Sequence, residues 1–107
     1  RTKNNDEETT ILHIGEIKIN EKARNVFVKD KALSLTLKEY DLLLFFCKHQ
    51  DYVFSREQIL ERVWGFDYFG TARTVDTHIK TLRIKLGHDA DYISTVWGVG
   101  YRFGINE

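Results

Sequence analysis

The chain has 107 residues, of which 42% are hydrophobic and 30% charged, and its 16 Lys and Arg are balanced by 16 Asp and Glu. That is enough for one compact domain with a modest core, and zero net charge excludes a non-specific polycation while leaving room for one basic face. No apolar run approaches the roughly 20 residues of a membrane span, no signal peptide opens the chain, and a single cysteine cannot form an internal disulfide, so no membrane contact and a reducing cytoplasmic location are expected.

Residues 1–10 are polar, mixed in charge and without an apolar anchor, and the sequence contains no Met. They read as a linker stub ahead of a domain over 11–107, the C-terminal part of a longer protein. Between Ile11 and Leu35 apolar residues alternate with period two. Residues 11–14, 17–20, 25–29 and 32–35 read as four short strands joined at Gly15, Glu21 to Arg24, and Asp30-Lys31. Connections this short give an antiparallel meander, with Ile17, Ile19, Val26 and Val28 as its candidate apolar face.

Thr36 and Glu39 have capping-box spacing, and Leu35 with Tyr40 stand where a hydrophobic staple closes it. The helix that follows, to about His49, carries Leu37, Tyr40, Leu43, Leu44 and Cys47 on one side, widened by Leu42, Phe45 and Phe46. A helix apolar nearly all round is a buried one, and Cys47 on it reads as a small core residue. Residues 52–54 read as a short strand. Ser55 with Gln58 and Phe54 with Ile59 then repeat the box and the staple, so a second helix runs from Arg56 to Val63 or Trp64 until Gly65 stops it.

After the aromatic loop Gly65-Phe66-Asp67-Tyr68-Phe69-Gly70, Thr71 is placed to cap a third helix, about 72–86. Val75, Ile79, Leu82 and Leu86 form one apolar stripe on it, while Arg73, Thr77, Lys80, Thr81 and Ile84 fall on the opposite side at 100° per residue. Four cations (Arg73, Lys80, Arg83, Lys85) against Asp76 give this helix a net charge of +3 in a chain whose net charge is zero. An apolar edge that docks and a basic edge with short hydroxyl side chains are what a helix in a DNA major groove needs; the bland alternative is a solvated basic face. Gly87 ends the helix, residues 88–91 form a polar turn, and residues 92–96 and 101–105 make a hairpin around Trp97-Gly98-Val99-Gly100. A helix pair followed by a hairpin is a winged helix, whose wing reaches phosphates or a minor groove. The four histidines share no metal-ligand spacing, and no nucleophile–base or phosphate-loop pattern occurs, so neither a cofactor nor an enzymatic activity is expected.

The stretches FSREQILERVWG, RTVDTHIKTLRIKLG and ISTVWGVGYRF, in this order, resemble the DNA-binding effector domain of OmpR/PhoB-type bacterial response regulators. The resemblance implies an α+β fold: a winged helix-turn-helix with a four-stranded N-terminal antiparallel sheet, three helices and a C-terminal β-hairpin wing. It implies a receiver domain upstream, phosphorylated by a sensor kinase, and a homodimer that binds direct repeats in double-stranded DNA and contacts RNA polymerase to control transcription. Carried to matching positions, Arg73, His78, Lys80 and Arg83 contact phosphates, and Thr74, Asp76, Thr77 and Thr81 face base edges or thymine methyls. Thr81 stands where many members are basic. Trp97 stands at the wing position where arginine is common, and either stacks on a sugar or packs on its own hairpin, with Arg102 taking part of the wing role. Trp64, Phe66, Asp67, Tyr68 and Phe69 correspond to the polymerase-contact loop; the competing reading is that these aromatics pack the helix junction. The rival to DNA binding is a winged helix used only for protein contact, which would be indifferent to DNA sequence.

Overall fold

A computed structural model describes residues 11–68, 70–87 and 92–104. The expected linker at 1–10, Phe69, the turn at 88–91 and Ile105 lie outside the described residues. The described chain forms two compact units, divided between Leu35 and Thr36.

The first unit is the expected meander of β1 (Ile11–Ile14), β2 (Ile17–Asn20), β3 (Asn25–Val28) and β4 (Lys31–Leu33), antiparallel in that order. The register sets Ile17 opposite Val28, Ile19 opposite Val26, and Val26 opposite Leu33, so the apolar positions share one face. Ile17, Ile19 and Val26 on that face are buried; Val28 is only half-buried. The β3–β4 turn places Lys29 and Asp30 both at positive φ, which ends the strand expected at 25–29 at Val28 and starts the one expected at 32–35 already at Lys31; that strand stops at Leu33. At the wider β2–β3 turn the Asn20 side chain accepts from the Ala23 N–H at 3.2 Å, and Arg24 takes the left-handed conformation.

The second unit is built on α1 (Leu37–Lys48), α2 (Arg56–Ile59) and α3 (Ala72–Leu86), with β5 (Val53–Ser55), β6 (Ile93–Val96) and β7 (Gly100–Phe103). Both capping boxes form: Thr36 Oγ1 accepts from the Glu39 N–H while Glu39 Oε1 accepts from the Thr36 N–H, and Ser55 and Gln58 exchange the same pair. The second helix reaches Trp64 as expected but changes pitch on the way. Leu60–Trp64 is a π turn, closed by the Gly65 N–H donating to the Leu60 carbonyl with Gly65 at φ 110°. Lys38 of α1 donates to the Val63 carbonyl at 3.1 Å, satisfying an acceptor near that helix end.

Leu42, Leu43, Phe46, Ile59, Val75, Ile79, Leu82 and Phe103 are fully buried, and α1 and α2 both pack on α3. The Phe46 and Tyr92 rings stack on Phe103 at centroid distances of 6.0 and 5.8 Å. Burial pushes the Cys47 thiol up to about 12, so it is an inert core group. Leu37, expected in the buried stripe, is instead 64% exposed, because the inward place in the first turn of α1 belongs to Glu39.

The hairpin gains a strand that the sequence had shown only as an isolated run. β5 pairs with β7, giving a sheet in the order β5–β7–β6, with Ser55 opposite Gly100 and Val53 opposite Arg102. The approach is close at Gly100, where a Cβ would sit 1.9 Å from the Phe54 carbonyl oxygen and 2.8 Å from Ser55 Cα. Since Ser55 is also the cap of α2, this contact fixes the wing to the helix pair. Gly100→Ala is expected to lower stability by about 1–3 kcal/mol through backbone overpacking. Val99→Ala, one residue away and 53% exposed, should stay within about 0.5 kcal/mol of the parent in the same thermal denaturation.

Candidate nucleic-acid interface

The α3 helix carries two stripes of identical spacing. Val75, Ile79, Leu82 and Leu86 are buried, and two residues out of phase Arg73, Thr77, Lys80 and Ile84 are exposed. Arg73 and Lys80 make no side-chain bond among the described residues, and Ile84 is 60% exposed. Thr77 Oγ1 donates to the Arg73 carbonyl at 3.1 Å, which uses its proton and leaves its lone pairs toward any approaching donor. Thr71 is the N-cap residue, but its side chain makes no capping bond. Asp76, His78, Thr81, Arg83 and Lys85 on α3 have side-chain partners inside the fold.

The strongest of these contacts gather on Glu39, only 5% exposed. Its carboxylate receives Lys85 Nζ at 2.6 Å, the Thr81 hydroxyl at 2.9 Å and the Thr36 N–H at 3.0 Å. Burial pushes its pKa up, but the bonds from Lys85, Thr36 and Thr81 outweigh this and hold it at about 2. Thr81, expected to face base edges, therefore turns its hydroxyl to α1, and Lys85 is drawn to the same carboxylate.

A second cluster joins α3 to α2 and the wing. Asp76 takes a two-bond grip from Arg56, Nε to Oδ1 at 3.1 Å and Nη2 to Oδ2 at 2.8 Å, and its Oδ1 also accepts from the Tyr101 hydroxyl at 2.8 Å. Burial first, and the Asp76 carboxylate second, raise the Tyr101 pKa. Arg83 donates to the Ile93 carbonyl at 3.2 Å and to Thr95 Oγ1 at 2.8 Å, with its guanidinium 5.6 Å from the Tyr101 ring centroid. Asp76 and Arg83, expected at bases and phosphates, thus hold the wing sheet against α3. Their competing partners lie 20 or more and 10 or more residues away in sequence, respectively.

His78 and Thr74 are half-buried on the helix flank. His78 Nδ1 lies 2.9 Å from the Thr74 carbonyl, which places its proton there, and its ring meets Trp64 edge-on at 4.9 Å. Trp64 is also beside Tyr68 at 6.4 Å and under Lys38 at 6.0 Å, so it packs the helix junction. Phe66 is 83% and Tyr68 42% exposed, and Asp67 is exposed. Arg102 donates to Asp51 at 2.8 Å, and Trp97 stands 89% exposed on the wing tip, where it does not pack into its hairpin. An open cleft lined by Arg56, Asp76, Tyr101, Trp97 and Val99 runs from the start of α2 past α3 to that tip.

Ile84 lies on the outward line that the helical spacing predicts but is not among the expected DNA contacts, and Glu39 and Arg56 act as positioning groups that the sequence does not mark as such. Ile84 was recoverable from its spacing with Arg73, Thr77 and Lys80. Glu39 showed only its capping role, since Lys85 is 46 residues away. Among the described residues no group of three His, Cys, Asp or Glu could hold a metal ion, and no helix is long and apolar enough to cross a membrane.

The profile of the family described as "Transcriptional regulatory protein, C terminal" matches residues 30–103. The chain is 51% identical over 87 residues to the transcriptional regulatory protein YclJ of Bacillus subtilis, covering 79% of this chain and 38% of that protein. It spans about two-fifths of the length of the curated relatives it matches. Among solved structures, it superposes on the response regulator DrrB of Thermotoga maritima, an OmpR/PhoB homologue, with a TM-score of 0.80 at 36% identity, covering 97% of this chain and 49% of that one. The DNA-binding domain of RstA from Klebsiella pneumoniae, solved in complex with the RstA box, matches with a TM-score of 0.78 at 29% identity, over 88% of this chain and 96% of that one.

The Glu39 pKa lies below its ordinary 4.5, so its stabilisation is complete above pH 4.5 and is lost as the pH falls toward 2. Glu39→Gln should cost about 2–3 kcal/mol at pH 7. In denaturant titrations the gap between parent and variant should close steadily between those two pH values.

Proposed function

The chain belongs to the family of C-terminal domains of transcriptional regulatory proteins, and from that premise we propose that it binds double-stranded DNA sequence-specifically through α3 in the major groove. It is a regulatory binding domain rather than an enzyme. The observation that carries the proposal is the split of α3 into polar groups engaged inside the fold and one free outward line, Arg73, Thr77, Lys80 and Ile84. Arg73 and Lys80 reach phosphates and set the register of the helix on the duplex. Thr77 offers an acceptor to an adenine or cytosine amino group, and Ile84 offers an apolar surface to a thymine methyl. His78, held by the Thr74 carbonyl, keeps Nε2 for a phosphate when protonated. The similar DNA-binding domain of RstA forms a complex with its own DNA box, which supports this reading.

The longer protein carries a receiver domain phosphorylated by a sensor kinase, acts in the cytoplasm, and binds direct repeats as a homodimer. The exposed Phe66, Asp67 and Tyr68, with Phe69 beside them in sequence, form the contact for RNA polymerase, with Trp64 as the packed base of that loop.

Each phosphate neutralised contributes about 0.9 to the slope of log K against log salt. Arg73→Ala and Lys80→Ala should each flatten that slope by about one on selected and on random duplexes alike. Arg83→Ala should lower thermal stability with little direct change in slope, and Thr77→Ala should change base preference with the slope intact. Anisotropy titrations over a salt series check all four; equal affinity of the parent for selected and random duplexes would favour the protein-only module.

A further inference from the structure

Among the described residues the wing has no free cation to bring to DNA. Arg83 is bonded to Ile93 and Thr95, Arg102 to Asp51, and Arg56 to Asp76, and the tip itself is Trp97-Gly98-Val99. Yet this tip holds the most exposed large apolar side chain of the described residues: Trp97 is 89% and Val99 53% exposed, on either side of Gly98 at φ 82°. A lone surface valine is ordinary; a tryptophan so fully exposed is not, because it leaves an unusually large apolar area in water. The hairpin is also not free to fold away. Arg83 holds β6, Tyr101 joins β7 to Asp76, and Gly100 seats β7 against β5. The cleft lined by Arg56, Asp76, Trp97 and Val99 joins the tip to α3 at Asp76, next in sequence to the outward Thr77.

Resting on the DNA-binding reading above, we infer that the wing meets the duplex by an apolar contact. Trp97 and Val99 lie against the sugar edges of the groove beside the one α3 occupies, and this contact contributes affinity that does not vary with salt. Apolar wing or wedge side chains can cover deoxyribose and open base steps without releasing counterions, whereas a cationic wing tip would add to the salt dependence. Trp97 is thereby an affinity-determining residue whose chemistry differs from that of Arg73 and Lys80.

The test uses the 107-residue chain with a duplex recovered by in vitro selection and a random duplex of equal length. Trp97→Ala removes an exposed side chain, so its thermal stability serves as the control for folding. The expected result is a loss of affinity of about tenfold or more, with the slope of log K against log salt unchanged. Trp97→Arg should recover affinity at low salt with a slope steeper by about 0.9. In chain labelled with 5-fluorotryptophan, the 19F resonance that disappears in Trp97→Ala should shift on duplex addition. Unchanged affinity in Trp97→Ala, or a lost affinity accompanied by a flatter slope, overturns the inference. Failure of the parent to prefer the selected duplex would instead overturn the DNA-binding reading itself.

Discussion

The buried carboxylate of Glu39 is the constraint on which the working surface depends. It closes the capping box of α1 through Thr36 and, with the same two oxygens, holds Lys85 and Thr81 of α3. An unpaired carboxylate at 5% exposure would be strongly unfavourable, so the pairing is enforced rather than optional. Because Lys85 and Thr81 are one turn apart, gripping both fixes the rotation of α3 about its own axis as well as its distance from α1. The apolar stripe alone would tolerate some roll. The ion pair does not.

Asp76 and Arg83 do for the wing what Glu39 does for the helix. Asp76 gathers Arg56 and Tyr101, and Arg83 bonds β6 while its guanidinium lies beside the Tyr101 ring. The three acidic or basic anchors lie at intervals along α3 or against it, and each removes a polar group that would otherwise face solvent. What is left outward is a narrow line of two cations, a hydroxyl and an isoleucine. A helix with net charge +3 thereby presents a composed edge instead of a diffuse basic coat, and such an edge can separate positioning from base selection.

Most local structure was legible in the sequence because its causes are local. Both capping boxes, the stop at Gly87 and the stripe from Val75 to Leu86 follow from spacings of three, four or seven residues. The meander was legible from period-two alternation, with its strand ends moved by the turn at Lys29-Asp30. The pairing of β5 with β7 was not, since it is settled by contact with a distant segment, and no change of periodicity marked the pitch change over Leu60–Trp64. The site followed the same division. Stepping at 100° put Thr77 and Thr81 on one face, and only the presence of Glu39, 42 residues before Thr81, separates them. Sequence spacing thus found the face of α3, but tertiary pairing decided which side chains on that face remain available.

The central claim is that DNA engages the line Arg73, Thr77, Lys80 and Ile84 while the Glu39 and Asp76 clusters stay closed beneath it. Titrating the 15N-labelled chain with its selected duplex and following backbone and side-chain resonances tests this most directly. The largest changes are expected at those four residues and at the wing tip, with the Lys85 ammonium and the Tyr101 hydroxyl signals retained. Changes centred on residues 11–35, with α3 silent, or loss of the Lys85 signal on binding, would contradict it.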